Sequence, residues 1–219
     1  MRTWMRGLSA AMLGLFAMAC SAQDGATAKF EQGKQYQQVR TIEAPIDAKR
    51  IEVREFFLYS CPHCYHFDPA ITAWEKTKAG DVDFVRAPLT FGREVGRTHA
   101  KAYYAADSLG ILSKIHPALF NAFHEQHNSL ASDQQVAGVF RQVAGIEPEA
   151  TIAQLKSFTA DAQVRKNDQQ AMAFGVSSVP TVVVGGKYVT SPAMAGGFDE
   201  AVTVINFLID KVRQERGGQ

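Results

Sequence analysis

Cysteine is scarce here: three residues in 219, so at most one disulfide can form within the chain and one thiol is left over. Charge of one sign is also missing. Lys and Arg number 23 against 22 Asp and Glu, a formal charge of +1. With no long Lys/Arg block, this balance argues against nucleic acid as the main partner, because phosphate binding leaves a basic footprint. Long apolar runs are absent too. The stretch from Leu8 to Ala19 is too short for a comfortable membrane span. No internal repeat or low-complexity tract marks a solenoid or a disordered linker. What remains is 46% hydrophobic and reads as globular, long enough for one well-packed domain with an insertion or for two small domains.

The N-terminus differs in kind. Arg2 and Arg6 precede the apolar stretch, which ends in small residues, the pattern of an export signal over residues 1–19. Phe16-Ala17-Met18-Ala19-Cys20 is similar to a bacterial lipoprotein cleavage box, with Cys20 as the acylated new N-terminus and 20–35 as a tether. Ala17 stands where that box usually has leucine. Ordinary cleavage after Ala22 would instead remove Cys20. Either event disposes of an odd thiol in an oxidising compartment.

The other two cysteines form Cys61-Pro62-His63-Cys64, directly after the apolar run Phe56-Phe57-Leu58-Tyr59. Two thiols at this spacing can close a reversible disulfide or bind a metal. Ile51, Val53, Phe57 and Tyr59 share one strand face, and Phe67, Ile71 and Trp74 follow at helical spacing. The pair therefore sits at a strand-to-helix junction. There the helix N-terminus favours negative charge on Cys61, and Pro62 suits the first turn. Cys64, three residues on, is carried inward, so Cys61 should be the sulfur that incoming thiols attack. Trp74, on the same helix, is expected to report the redox state.

Along the chain, strands are predicted at 36–42, 51–59 and 82–87, with a kink at Pro69 in the motif helix. From Gly92 to Phe174 the apolar periodicity is helical without interruption, including the stripe Val136, Val139, Phe140, Val143. Pro117 suits a first helical turn, Ser132 to Gln135 matches a capping box, Gly145 can end that helix and Pro148 can begin the next. Strand character returns at Thr181–Val184. Gly185-Gly186 then makes a hairpin turn, and Val202, Ile205, Ile209 and Val212 stripe a terminal helix.

This order is the thioredoxin plan interrupted by a helical block. It gives an α/β fold with a first thioredoxin-like segment over 36–91, an all-helical insertion over 92–174 and a second thioredoxin-like segment over 175–219. The chain resembles the DsbA family of periplasmic thiol-disulfide oxidoreductases. The resemblance rests on Gly33-Lys34-Gln35-Tyr36, Glu55-Phe56-Phe57, Cys61 through Tyr65, Gly175-Val176, Val179-Pro180 and Gly186-Lys187-Tyr188. It implies a catalytic set of Cys61, Cys64, His63, Pro62, Pro180 and Glu55. Pro180 would be a cis-proline facing the disulfide, and Val179 and Tyr65 would help bind extended substrate. His63 would stabilise the Cys61 thiolate, and Glu55, drawn beneath the site, would relay the Cys64 proton, with Arg86 as a charge partner. No cofactor is implied beyond the disulfide itself. The partners implied are unfolded exported proteins and a DsbB-type quinone-linked membrane oxidase, with the enzyme a periplasmic monomer.

Two rival readings compete with this one. His66 makes Cys61-x-x-Cys64-x-His66 look like three metal ligands, but a structural zinc site wants a fourth, and His99, His116, His124 and His127 fall in the helical block. His124 and His127 read as solvated surface residues. A periplasmic disulfide isomerase or reductase would use the same cysteines, but known isomerases of this plan place a dimerisation domain first, and the segment before Cys61 is too short for one.

Overall fold

The computed structural model describes Met1 and residues 30–217. The predicted signal, Cys20 and most of the expected tether lie outside the described residues. From residue 30 the chain is already part of the fold, because the Phe30 ring packs edge-on against Phe207, 5.4 Å between centroids.

Among the described residues there are five strands in one mixed sheet, and eight helices. In chain order these are β1 (Gln37–Gln38), β2 (Ile51–Phe57), α1 (Pro62–Thr77), β3 (Val82–Pro88), α2 (Glu94–Ser108), α3 (Leu112–His124), α4 (Asp133–Ala144), α5 (Pro148–Leu155), α6 (Phe158–Phe174), β4 (Thr181–Val184), β5 (Tyr188–Thr190), α7 (Pro192–Ala195) and α8 (Phe198–Gly217). The strand order is β1-β5-β4-β2-β3, with β2 and β3 parallel and the other pairs antiparallel. This is the thioredoxin-like sheet interrupted by helices α2 to α6.

Central β2 is covered on both faces, as its near-continuous apolar sequence requires. Ile51 and Val53 join Phe67, Ile71 and Trp74 of α1 and Val204, Ile205 and Leu208 of α8 in one core, whereas Phe56 turns to Ala87, Phe174 and Val183 on the other face. Phe57 and Tyr59 enter a third core made by the insertion, with Ile115, Leu119, Phe120, Val136 and Phe140. Phe57 is 1% exposed, a burial that stabilises the fold by roughly 1.5–3 kcal/mol. The strand that leads to the cysteines is thereby fixed in both halves of the molecule.

Three local expectations change. The strand predicted over 36–42 shrinks to Gln37–Gln38, because its partner β5 is only three residues long. Beyond it, the N–H groups of Arg40 and Thr41 donate instead to the carbonyls of Phe174 and Ala173 at the end of α6. Pro117 is not in a first turn but six residues into α3. There the burial of Ile115, Leu119 and Phe120 on one face outweighs the hydrogen bond proline cannot make. Val143, predicted as a core position, is 40% exposed in the last turn of α4. The capping box is present as predicted, with Ser132 accepting from the Gln135 N–H, and Gly145 ends α4 in a left-handed conformation at φ 68°.

Candidate active site

The C-terminal end of β2 runs through Leu58, Tyr59 and Ser60 into Cys61, which is extended (φ −90°, ψ 118°) immediately before α1, with Pro62 in the first helical turn. The inward face of α1 is Cys64, Phe67, Ile71 and Trp74. That spacing pulls Cys64 to 0% exposure and leaves Cys61 partly exposed at the helix mouth. Both are free thiols here. Cys61 Sγ lies 3.6 Å from the Val179 carbonyl oxygen, to which it donates as a thiol. The Val179–Pro180 peptide is cis, and β4 begins at the next residue, Thr181.

Position divides the two thiols chemically. The Cys64 thiol donating to Cys61 lowers the Cys61 pKa most, to about 5, against opposing partial burial. The main-chain N–H groups of Cys64 and His63 add to this, and the His63 side chain comes after them. The helix end and His63 both contribute as expected, and the partner thiol, which was not expected to, acts before either. Burial drives the Cys64 pKa far up, and the Cys61 charge adds to it.

Beneath the pair lies a buried charge cluster. Glu55 and Arg86 are paired in the parallel β2–β3 register, so their side chains leave the same face of the sheet. Glu55 Oε2 is 3.5 Å from Arg86 Nε. Burial lifts the Glu55 pKa to about 8 despite the Arg86 charge, and Asp68 and Glu75 push in the same upward direction. The Glu55 charge in turn raises Cys64. Arg86 is shared: Nη1 donates to Glu75 at 2.7 Å, Nη2 donates to Thr72 Oγ1 at 2.7 Å, and Nη2 lies 3.6 Å from Asp68.

A thioredoxin family model matches residues 47–203. The thiol:disulfide interchange protein DsbA of Pseudomonas aeruginosa strain PAO1 is 36% identical over 203 residues, 93% of each chain. That of Azotobacter vinelandii is 34% identical over the full length of both. The chain belongs to the DsbA family. The crystal structure of Pseudomonas aeruginosa DsbA superposes with a TM-score of 0.80 at 34% identity, covering 85% of this chain and 96% of that one. Like its DsbA relatives, this chain is a thiol-disulfide oxidoreductase.

In this DsbA family member, Cys61, Cys64, His63, Pro62, Val179 and Pro180 converge, and Glu55 and Arg86 lie below them. Tyr65 does not join Val179. A groove of about 470 Å³ with an apolar lining runs past His63, Val179, Pro180, Pro192 and Phe198. Tyr65 lines a different cleft with Pro69, Pro117, Phe120 and Asn121, because the next turn of α1 faces α3. His124 departs from its surface reading. Its ring stacks on Tyr65 at 4.7 Å and its Nε2 donates to the Tyr59 carbonyl at 2.8 Å. Trp74 lies thirteen residues down α1 from Cys61, about 20 Å at 1.5 Å per residue, too far to report the disulfide directly.

Sequence reasoning also missed Asp68 and His116. Asp68 could have been found, because it lies four residues after Cys64 on the helix. His116 gave no local signal, since only the packing of α3 on α1 brings it to the site.

Proposed function

We propose that the chain donates the Cys61–Cys64 disulfide to newly exported, unfolded proteins in the bacterial periplasm and is reoxidised by a DsbB-type membrane partner. The observation that carries this reading is the asymmetry of the thiols. Cys61 sits partly exposed at a helix N-terminus that favours its thiolate, while Cys64 is sealed at 0% exposure. A stabilised thiolate stabilises the reduced protein and is a good leaving group, so the disulfide is a strong oxidant.

In the reaction, a substrate thiolate attacks Cys61 Sγ, the Cys61–Cys64 bond breaks, and Cys64 leaves with the electron pair and takes a proton. Glu55, neutral below about pH 8, is the proposed donor. A second substrate thiolate then attacks the substrate sulfur of the mixed disulfide and expels the Cys61 thiolate. The substrate loses two electrons and the enzyme gains them. The Glu55 carboxylate left behind takes a proton from water, and on reoxidation Glu55 releases that proton before it accepts the one on Cys64. The apolar groove past Val179 and Pro180 accepts extended chain, with selection left to broad apolar contact.

Arg2, Arg6 and the apolar stretch before Ala19 support export, with Cys20 as a lipid anchor when the signal is processed there. Among the described residues no helix is long and apolar enough to cross a membrane.

The test is the redox equilibrium of Cys61 and Cys64 against defined glutathione mixtures, read by thiol trapping. A potential well above that of thioredoxin supports the oxidase direction. A thioredoxin-like value overturns it in favour of a periplasmic reductase or isomerase.

A further inference from the structure

His116 is an insertion residue placed against the catalytic helix. It is buried among Phe57, Tyr59, Tyr103 and Phe120, with ring centroids 5.2–5.8 Å away. Both of its nitrogens are engaged. Nδ1 is 2.7 Å from the Tyr59 hydroxyl, and Nε2 is 3.1 Å from Asp68 Oδ1. An ionised Asp68 can only accept, so Nε2 carries the proton, and Nδ1 is left to accept from Tyr59 O–H.

Asp68 Oδ1 is the crowded atom of this cluster. It faces His116 Nε2 at 3.1 Å, Thr72 Oγ1 at 3.2 Å and Arg86 Nη2 at 3.6 Å. Arg86 Nε, the atom that points to Glu55 at 3.5 Å, is buried without a hydrogen bond. The guanidinium is thus held just off Glu55 by its ties to Glu75, Thr72 and Asp68, and one of those ties is anchored by His116.

We propose that His116 is a positioning residue for the disulfide exchange: its bond to Asp68 sets how the Arg86 guanidinium is divided between Asp68 and the Glu55 carboxyl beneath Cys64. Without the Nε2 donor, Asp68 closes on Arg86 and draws it from Glu55, so Glu55 ionises with more difficulty. The inference rests on the reading of Glu55 as the Cys64 proton carrier. The charged and titratable groups facing Glu55 are Arg86 from β3, Asp68, Glu75 and Cys64 from α1, Tyr59 after β2 and Tyr103 from α2. Those facing His116 are Asp68, Glu75, Arg86, Tyr59 and Tyr103. Burial lowers the His116 pKa against the opposing pull of Asp68, which favours the neutral ring.

Two variants separate the arms. His116→Asn keeps an acceptor for Tyr59 and loses the donor that reaches Asp68, whereas His116→Gln restores an amide donor near the Nε2 position. The readout is the Glu55 carboxyl titration by carbon-13 NMR in the reduced protein, with the pH profile of disulfide exchange beside it. The proposal expects the Asn variant to move the Glu55 midpoint up by roughly a unit, the Gln variant to titrate as the parent, and the exchange profile to follow. It is overturned if the Asn variant titrates as the parent, or if the Gln variant shifts as far as the Asn variant. Glu55→Gln separates the two readings. If its exchange profile matches the parent's, Glu55 is not the proton carrier, whatever His116 does to the Glu55 midpoint.

Discussion

Replacing Glu55 by glutamine should remove a pH-dependent destabilisation whose size follows from the site. The folded-state pKa is about 8, raised first by burial, against an ordinary value of 4.5. A carboxyl raised in this way destabilises the native state only when it must ionise. The native state is fully favoured below the unfolded pKa, and the advantage is lost as pH rises toward the folded one. At about 1.36 kcal/mol per unit, the difference in stability between parent and Glu55→Gln grows from near zero at pH 4 to roughly 3 kcal/mol at pH 7. It levels off at roughly 5 kcal/mol above pH 9. Groups shared by both proteins, Cys61 included, largely cancel in the difference. Guanidinium chloride unfolding of the reduced proteins at pH 4, 7 and 9 measures it. Parallel stability curves across that range would mean that Glu55 is solvated or fully compensated by Arg86, and the buried-carboxyl argument would fail.

The reduced protein should show a Cys61 thiolate midpoint near pH 5 by absorbance at 240 nm or by the pH dependence of alkylation, and Cys64→Ala should raise it by removing the largest stabilising contact. An unchanged midpoint in that variant would return the effect to the helix end and His63. Gly186→Ala should lower stability by about 2–4 kcal/mol, because Gly186 has φ +66° and a Cβ there would lie 2.7 Å from the Glu43 carbonyl oxygen. Gly33→Ala, with φ +90° and open space around it, should cost only the backbone strain, about 1–2 kcal/mol, and chemical denaturation of the pair tests the ordering. Ser132→Ala should cost about 1 kcal/mol through loss of the α4 cap, visible as a lower thermal midpoint. A Ser132→Thr variant should keep most of that stability.

Much of the active site was legible in the chain because it is local. The run from Ile51 to Tyr59 is a strand by composition, Cys61-Pro62-His63-Cys64 opens a helix, and the three-residue offset decides which sulfur is buried. Helix ends were equally readable wherever a side chain or a glycine caps its own backbone, as at Ser132 and Gly145. Positions whose fate depends on a distant partner were not. The strand at Tyr36 stops early because β5 is short, and Pro117 is tolerated inside α3 because its neighbours are buried.

The sequence by itself thus determined which of the two sulfurs stays partly exposed and which helix carries them, since backbone amides and periodicity act over a few residues. Tertiary structure alone decided what surrounds that sulfur. It assigned Tyr65 to a separate cleft, and it added Asp68 and His116 to the Glu55–Arg86 pair that the family resemblance implied, so that four separate elements meet in one low-dielectric cluster. Charges far apart in the chain interact only where folding excludes the water between them, so that cluster cannot be read from any stretch of sequence.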